Sequence, residues 1–316
     1  MKKLSILLVI LCLLLPAAAM AANPTVEIGD VELPNGYYMA SDTNVPVAEK
    51  PDGGYAYLKD GVLELNNYTY RLPYNPYEYH TNVLYIRGGD LDIFLIGENS
   101  LDEGSTSMKH GIYADAGALT ISGPGSLRIY ATHSISANTL LIDCGKLTSI
   151  NWTGISASTL TINSDVEFRC AAYCFSANTI NINNATLQLS TGEDVGIICD
   201  QINIQGEDTV LELTGDDWSG DGIFTVHKKL NIVSPLQIKT PEGGYIDRVG
   251  SYYTIMEPNG VPAATIRIAK GIPTPPPSPT PAPVPQTGDH ADLTLWLALA
   301  VLAITGMVLL RRRAHR

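Results

Sequence analysis

The sequence predicts an all-β protein, a single domain built as a parallel β-helix in which short strands wind into stacked coils. Three observations point there. Similar segments recur about every twenty residues, as in "GIYADAGALTISGPGSLRIYAT" from Gly111, "SISANTLLIDCGKLTSINWT" from Ser134 and "GISASTLTINSDVEFRCAAY" from Gly154. Each holds three short runs that alternate apolar with polar residues, such as Ile112/Ala114, Leu119/Ile121 and Leu127/Ile129. The apolar anchors Ile112, Ile135, Ile155, Phe175, Ile197 and Ile223 stand at equivalent places, 23, 20, 20, 22 and 26 residues apart.

A side chain period of two with a repeat near twenty fits three strands per coil, each hydrogen-bonded to the coils above and below at about 4.8 Å. Antiparallel sandwiches give no reason for one inward pattern to recur at this interval. The repeat fixes a register. Ile155 and Ile162 face the interior, stacked on Ile135, Ile142 and Phe175, while Ser158 and Thr161 face outward. The stretches "GVLELNNYTYRL" and "LYIRGGDLDIFLIGENSL" read as two further, less regular coils, giving roughly eight over residues 58–244.

An open solenoid end invites aggregation, so caps are expected. Residues 22–57, with Tyr37, Tyr38 and Tyr55, are assigned to the N-terminal cap. Residues 245–270 are assigned to a C-terminal hairpin turning at Asn259–Gly260. Cys144, Cys170, Cys174 and Cys199 could form two disulfides in an exported chain. Cys199, however, replaces the inward Ala114, Ala137, Ala157 and Ala177, and Cys144 and Cys170 also fall on inward positions, which predicts buried free thiols.

The ends of the chain carry address signals. Lys2 and Lys3 precede the apolar Leu4–Leu15, with small residues at Ala19 and Ala21, so residues 1–21 read as a signal peptide. At the other end, 271–283 is Pro-rich, a semi-rigid spacer of about 3.1 Å per residue. Then come Val284-Pro285-Gln286-Thr287-Gly288, an apolar run at 291–310 and a basic tail at 311–316. The run is long enough for a transmembrane helix, and Arg311, Arg312 and Arg313 would hold its end in the cytoplasm.

Val284 to Gly288 resembles the LPxTG sorting signal of Gram-positive sortase substrates, with Val284 where Leu is usual. The resemblance implies that a sortase cysteine attacks the Thr287 carbonyl, that the cut falls before Gly288, and that the product joins peptidoglycan. The implied location is the cell wall, with the membrane touched only by the precursor's anchor. The coils themselves, above all "DLDIFLIGENSL" and "HGIYADAGALTISG", resemble the right-handed pectin-lyase-like β-helices. They are closer still to the surface proteins of anaerobic Firmicutes described as containing carbohydrate-binding domains. That resemblance implies a right-handed coil and polysaccharide as the ligand class.

Residues 22–287 carry 14 Lys+Arg against 30 Asp+Glu, a net charge of −16. Such an acidic chain excludes nucleic acid as a natural partner. The clearest candidate surface is "YTYRLPYNPYEYH", where Tyr70, Tyr74, Tyr77 and Tyr79 would offer faces for sugar rings, or fill an end of the solenoid instead. Trp152 and Trp218 stand alone and fit either role. No resident cofactor is called for. Asp216, Asp217 and Asp221 in "GDDWSGDG" could supply part of a weak Ca²⁺ site, since Ca²⁺ takes six to eight oxygens.

An enzyme is the alternative, either a polysaccharide lyase or a glycoside hydrolase. His110-Gly111 and Asp221-Gly222 echo short hydrolase motifs, but they lie five coils apart, about 24 Å at the coil rise. The expected protein is therefore a wall-anchored surface module for recognition or adhesion, with a purely structural spacer as a third reading.

Overall fold

The computed structural model describes residues 23–271 except 42, 44, 72–81, 103–109, 193 and 216–221. All belong to one compact unit that ends at Gly271. The signal peptide, the Pro-rich segment, the sorting signal, the apolar run and the basic tail lie outside the described residues. Among the described residues every regular element is a strand, and the architecture is a β-solenoid.

Three ladders of parallel strands form its walls, here called faces A, B and C in the order the chain visits them. On face A, Leu84 pairs with Ile112, Ile112 with Ile135, Ile155 with Phe175, and Phe175 with Ile197. On face B, Leu63 pairs with Ile93, Ile93 with Ile121, Ile162 with Ile182, Ile182 with Ile204, and Ile204 with Ile232. Face C runs from Leu101 to Ile129, then from Ser149 through Phe168 and Leu189 to Leu213. One unbroken extended run, Ala118–Ile162, passes through all three faces.

The inward columns are why these residues make this fold. Ile112, Ile121, Ile129, Ile142, Ile155, Ile162, Phe168 and Phe175 are each fully buried, so each coil covers the apolar side chains of its neighbours. Ser158 is exposed and Thr161 half-buried on the outer side, as the sequence register predicts. All four described cysteines are free and buried, with Cys199 in the column of Ala177. Burial pushes the Cys144 thiol up to about 11 and that of Cys199 up to about 12.

The Gly-Ile pair that opens several coils has a steric cause. A Cβ on Gly154 would lie 2.1 Å from the Cys174 carbonyl oxygen, and one on Gly111 would lie 2.8 Å from that of Ser134. At these two positions the backbone of the next coil approaches too closely for a side chain. Where glycine is absent, the small and fully buried Ser134 and Cys174 take its place.

Three details differ from the sequence expectation. First, about six coils are complete. The predicted first and last coils are partial, because Val62–Asn66 and Thr69–Arg71 begin the stack without a face A strand. Second, Ile197 pairs with Phe224 and not with Ile223, so the last interval is one residue longer. Third, Leu236–Thr240 does not stack on face C. Thr265–Lys270 inserts between it and Val210–Gly215, antiparallel to both. Ile266 and Ile268 then cover Leu213 and Leu211, ending the repeat with a strand that closes the core.

Both ends carry antiparallel strands. Thr25–Ile28 lies along Asn82–Arg87 at the start of face A, and Tyr55–Lys59 lies along Val62–Asn66 at the start of face B. At the far end the hairpin forms between Tyr245–Val249 and Tyr252–Met256, earlier than expected. Asn259–Gly260 makes only a local turn, with a single bridge between Met256 and Pro262.

Candidate functional site

The outer side of face C carries a groove. Its outward positions form columns across the coils: Ser100 beside Arg128, then Thr148, Glu167, Gln188 and Glu212 on successive rungs. Beside this column run Glu98 and Ser126, then Lys146 and Asp165, and on the other side Asp102 and Tyr130, then Ile150 and Arg169. Because parallel strands repeat every side chain position at the coil rise, a row of chemically varied groups is held at fixed spacing. A groove of about 640 Å³ lies over this row, lined by Glu98, Ser100, Arg128, Lys146, Thr148 and Glu167 among others. Two smaller depressions, about 190 and 150 Å³, continue it past Gln188 to Glu212 and past Asp165 to Thr186.

The groove is an ionic surface with organised charge. Lys146 donates to Glu167 at 3.0 Å and Arg169 donates to its other carboxylate oxygen at 3.3 Å. The hydrogen bond from Lys146, with the nearby positive charge of Lys146 and Arg169, holds the Glu167 carboxyl below its ordinary pKa. Arg128, one coil from Lys146, is exposed and makes no ion pair among the described residues. Three cationic side chains thus gather on one face of a strongly acidic chain.

An apolar rim stands where face C turns into face A. Tyr130 is 50% exposed, Ile150 39% and Trp152 57%. Tyr130 and Ile150 occupy outward positions of face C, and Trp152 follows Ile150 by two residues on the same side of the strand. Solvent-facing aromatic rings beside charged and hydroxyl groups can stack on the C–H faces of sugars while the polar groups bind their hydroxyls.

Beyond the rim, face A carries a ladder of rings. His133 stacks on His110 with centroids 4.9 Å apart, His110 meets Tyr113 at 5.0 Å, and Tyr113 meets Tyr85 at 5.6 Å. The Tyr85 hydroxyl donates to Asp115 at 3.0 Å, and Arg87 lies over the Tyr85 ring while also pairing with Glu27. Burial holds the His133 imidazole below its ordinary pKa, and its Nδ1 hydrogen-bonds with Thr153.

Of the tyrosine platform read from the sequence, only Tyr70 lies among the described residues, and it faces inward. Tyr70 is only 1% exposed, paired on face C with Leu101 and lying parallel to Tyr68 at 6.5 Å. Its hydroxyl occupies the space over Gly29, where a Cβ would sit 1.8 Å away. Tyr70 therefore plugs the first, partial coil and cannot stack on a ligand. Tyr74, Tyr77 and Tyr79 fall outside the described residues, as do Asp216, Asp217 and Asp221 and the sorting residues Val284 to Gly288. Among the described residues no group of three or more His, Cys, Asp or Glu is placed to hold a metal ion.

Sequence reasoning passed over Tyr130 and left Trp152 as an isolated residue. A signal was present: counting outward from the inward Leu127 and Ile129 puts Tyr130 on the solvent side, and the twenty-residue offset aligns it with Ile150.

The fold and this surface together define a β-solenoid with a charged groove along one wall and exposed aromatic rings where that wall turns. Comparison with known proteins adds no name to that class: no family model, no curated protein and no solved structure matches the chain.

Proposed function

We propose that this protein is a surface-displayed recognition module whose face C groove binds polysaccharide, and that its C-terminal signal attaches it to the cell wall. The observation that carries the binding reading is the groove itself. It crosses successive coils, as an extended polymer requires, and Arg128, Lys146, Ile150 and Arg169 line it, with the exposed Tyr130 and Trp152 two residues beyond Arg128 and Ile150. The wall reading rests on Val284 to Gly288 preceding an apolar run and an arginine cluster.

Binding is tested on a glycan array followed by titration of each hit. Trp152→Ala combined with Tyr130→Ala should weaken the hit at least tenfold and leave the thermal transition almost unmoved, because exposed substitutions shift stability by about 0.5 kcal/mol or less. Unchanged affinity in that double variant would remove the groove from consideration. Attachment is tested by fractionation: Thr287→Ala should leave the protein with the membrane and absent from peptidoglycan, and wild-type levels in the wall fraction would sink the sorting reading.

The enzyme alternative gains no support from Glu167 or Glu212. Glycoside hydrolysis needs one carboxyl kept protonated as general acid. Glu167 is instead held ionised by Lys146 and Arg169, and Glu212 is paired with Arg267 at 2.9 Å.

A further inference from the structure

Where face C turns into face A, the inner side of one coil carries two sulfurs. Cys170 ends the strand of the inward Phe168, and Cys174 stands at the corner that Gly154 and Gly196 occupy on the neighbouring coils. Only Ala171, Ala172 and Tyr173 separate them. Cys170 is 6% exposed and Cys174 fully buried, and their thiols are hydrogen-bonded to each other. Cys174 Sγ also donates to the Ser190 carbonyl at 3.5 Å. In the same two places the coil below holds Asn151 with Gly154, and the coil above holds Thr191 with Gly196, so neither neighbour repeats the pair.

The turn between the two cysteines is held from both sides. Ala171 N–H donates to the Asn151 carbonyl at 3.0 Å and Ala172 N–H to that of Trp152 at 2.8 Å, both on the coil below. Toward the coil above, Cys174 N–H donates to the Gly196 carbonyl at 2.8 Å, Gly192 N–H donates to the Cys170 carbonyl at 3.0 Å, and Thr191 Oγ1 donates to the Ala172 carbonyl. The backbone is therefore fixed with the thiols already in contact, and side chain rotation alone has to bring the sulfurs to bonding distance. Directly below Cys170, the Asn151 carboxamide is buried with neither end hydrogen-bonded, which leaves a donor for a thiolate formed above it.

We propose that Cys170 and Cys174 are a redox pair that closes to an intramolecular disulfide across this corner. The oxidant is a small-molecule disulfide such as oxidised glutathione. The Cys170 thiolate attacks one of its sulfurs and expels one glutathione thiolate, leaving a mixed disulfide on Cys170. Cys174 then loses its proton and attacks the Cys170 sulfur, expelling the second glutathione thiolate. Two protein thiols are oxidised, one glutathione disulfide is reduced to two thiols, and both protons end on the released glutathione. Cys170 attacks first, because the hydrogen bond with Cys170 and burial hold the Cys174 thiol well above its ordinary pKa. Cys144 and Cys199 take no part. Cys144 lies where face B turns into face C, and Cys199 lies in the column of Ala177 on face A.

The test equilibrates the full chain, kept in detergent because of the apolar Leu293–Leu310, with mixtures of reduced and oxidised glutathione. Each mixture is approached from reduced folded protein and from protein refolded out of urea, so that slow entry of the oxidant into the core does not mimic a missing bond. After acid quenching, remaining thiols are alkylated in denaturant and the chain is digested after its aromatic residues. As the mixture becomes oxidising, alkylation of Cys170 and Cys174 should fall together, about tenfold below that of Cys144 and Cys199. The fragments on either side of Tyr173 should stay joined until reduced. In Cys170→Ser, Cys174 should be alkylated as fully as Cys199, and continued protection there would show that each thiol is modified separately, which overturns the pair. Equal alkylation of Cys144, Cys170, Cys174 and Cys199 in every mixture and from both directions would overturn it as well, as would a linkage of either thiol to Cys144 or Cys199.

Discussion

Replacing Phe168 by alanine should lower the stability of the solenoid by about 3–5 kcal/mol, the range for emptying a buried aromatic site. Phe168 is fully buried, stands edge-on to Phe175 at 5.6 Å, and sits in its face C column between Ser149 and Leu189. Its neighbour Ser149 is the reason the hole would stay open. The Ser149 hydroxyl is bonded to Ser134 Oγ and to the Ile129 carbonyl, both at 3.0 Å, so it is held away from the vacated space. Denaturant unfolding of Phe168→Ala beside Thr161→Ala checks this, with the outward Thr161 variant staying within about 0.5 kcal/mol of the parent. A loss below about 1 kcal/mol for Phe168→Ala would mean that the coil closes around the cavity and that the column is not rigid.

That column shows what was legible in the sequence and what was not. The alternation around Leu127/Ile129 and Ile155/Ile162 fixed the inward face, because a one-residue slip in a strand would turn every apolar side chain to solvent. The recurring Gly-Ile pair located the coil corner. What the repeat could not show is how it stops. Ile266 and Ile268 have the same alternation as any coil strand, and nothing local distinguishes an antiparallel insertion from one more parallel rung. The shift from Ile223 to Phe224 was hidden for a similar reason, since both are large, apolar and fully buried.

The candidate site was less legible than the fold. Tyrosine density drew attention to Tyr70, but composition does not reveal which side of a strand a ring occupies, and Tyr70 stands in the inward column of Leu101 on face C. Parity within the repeat is the better guide, and it places Tyr130 and Trp152 outside. Arg128, Lys146 and Arg169 are 18 and 23 residues apart, so only the coil stacking brings them to one face. Their gathering is a property of the register, not of any local motif.

The groove floor rests on one carboxamide, and Asn99→Leu should therefore damage both stability and binding. Asn99 is 3% exposed. Its Oδ1 accepts the Tyr68 backbone N–H at 2.8 Å, and its Nδ2 faces the carbonyls of Ser126 at 3.2 Å, Ile96 at 3.3 Å and Gly97 at 3.4 Å. One side chain thus ties the partial first coil, its own coil and the next. Leucine has a similar volume but no polar atom, so the Tyr68 N–H and the Ser126 carbonyl would lose this partner. A buried group left unpaired costs about 1–3 kcal/mol. Because Asn99 and its neighbours Glu98 and Ser100 line the groove, affinity for any glycan hit should fall along with stability. Asn99→Asp separates the two halves of the clamp, since it keeps the acceptor for Tyr68 and removes the donor to the carbonyls. Both variants should be less stable than the parent, with amide exchange at Tyr68 accelerated only in the leucine variant. Retained protection of the Tyr68 amide in Asn99→Leu would show that the coils are joined here by packing alone.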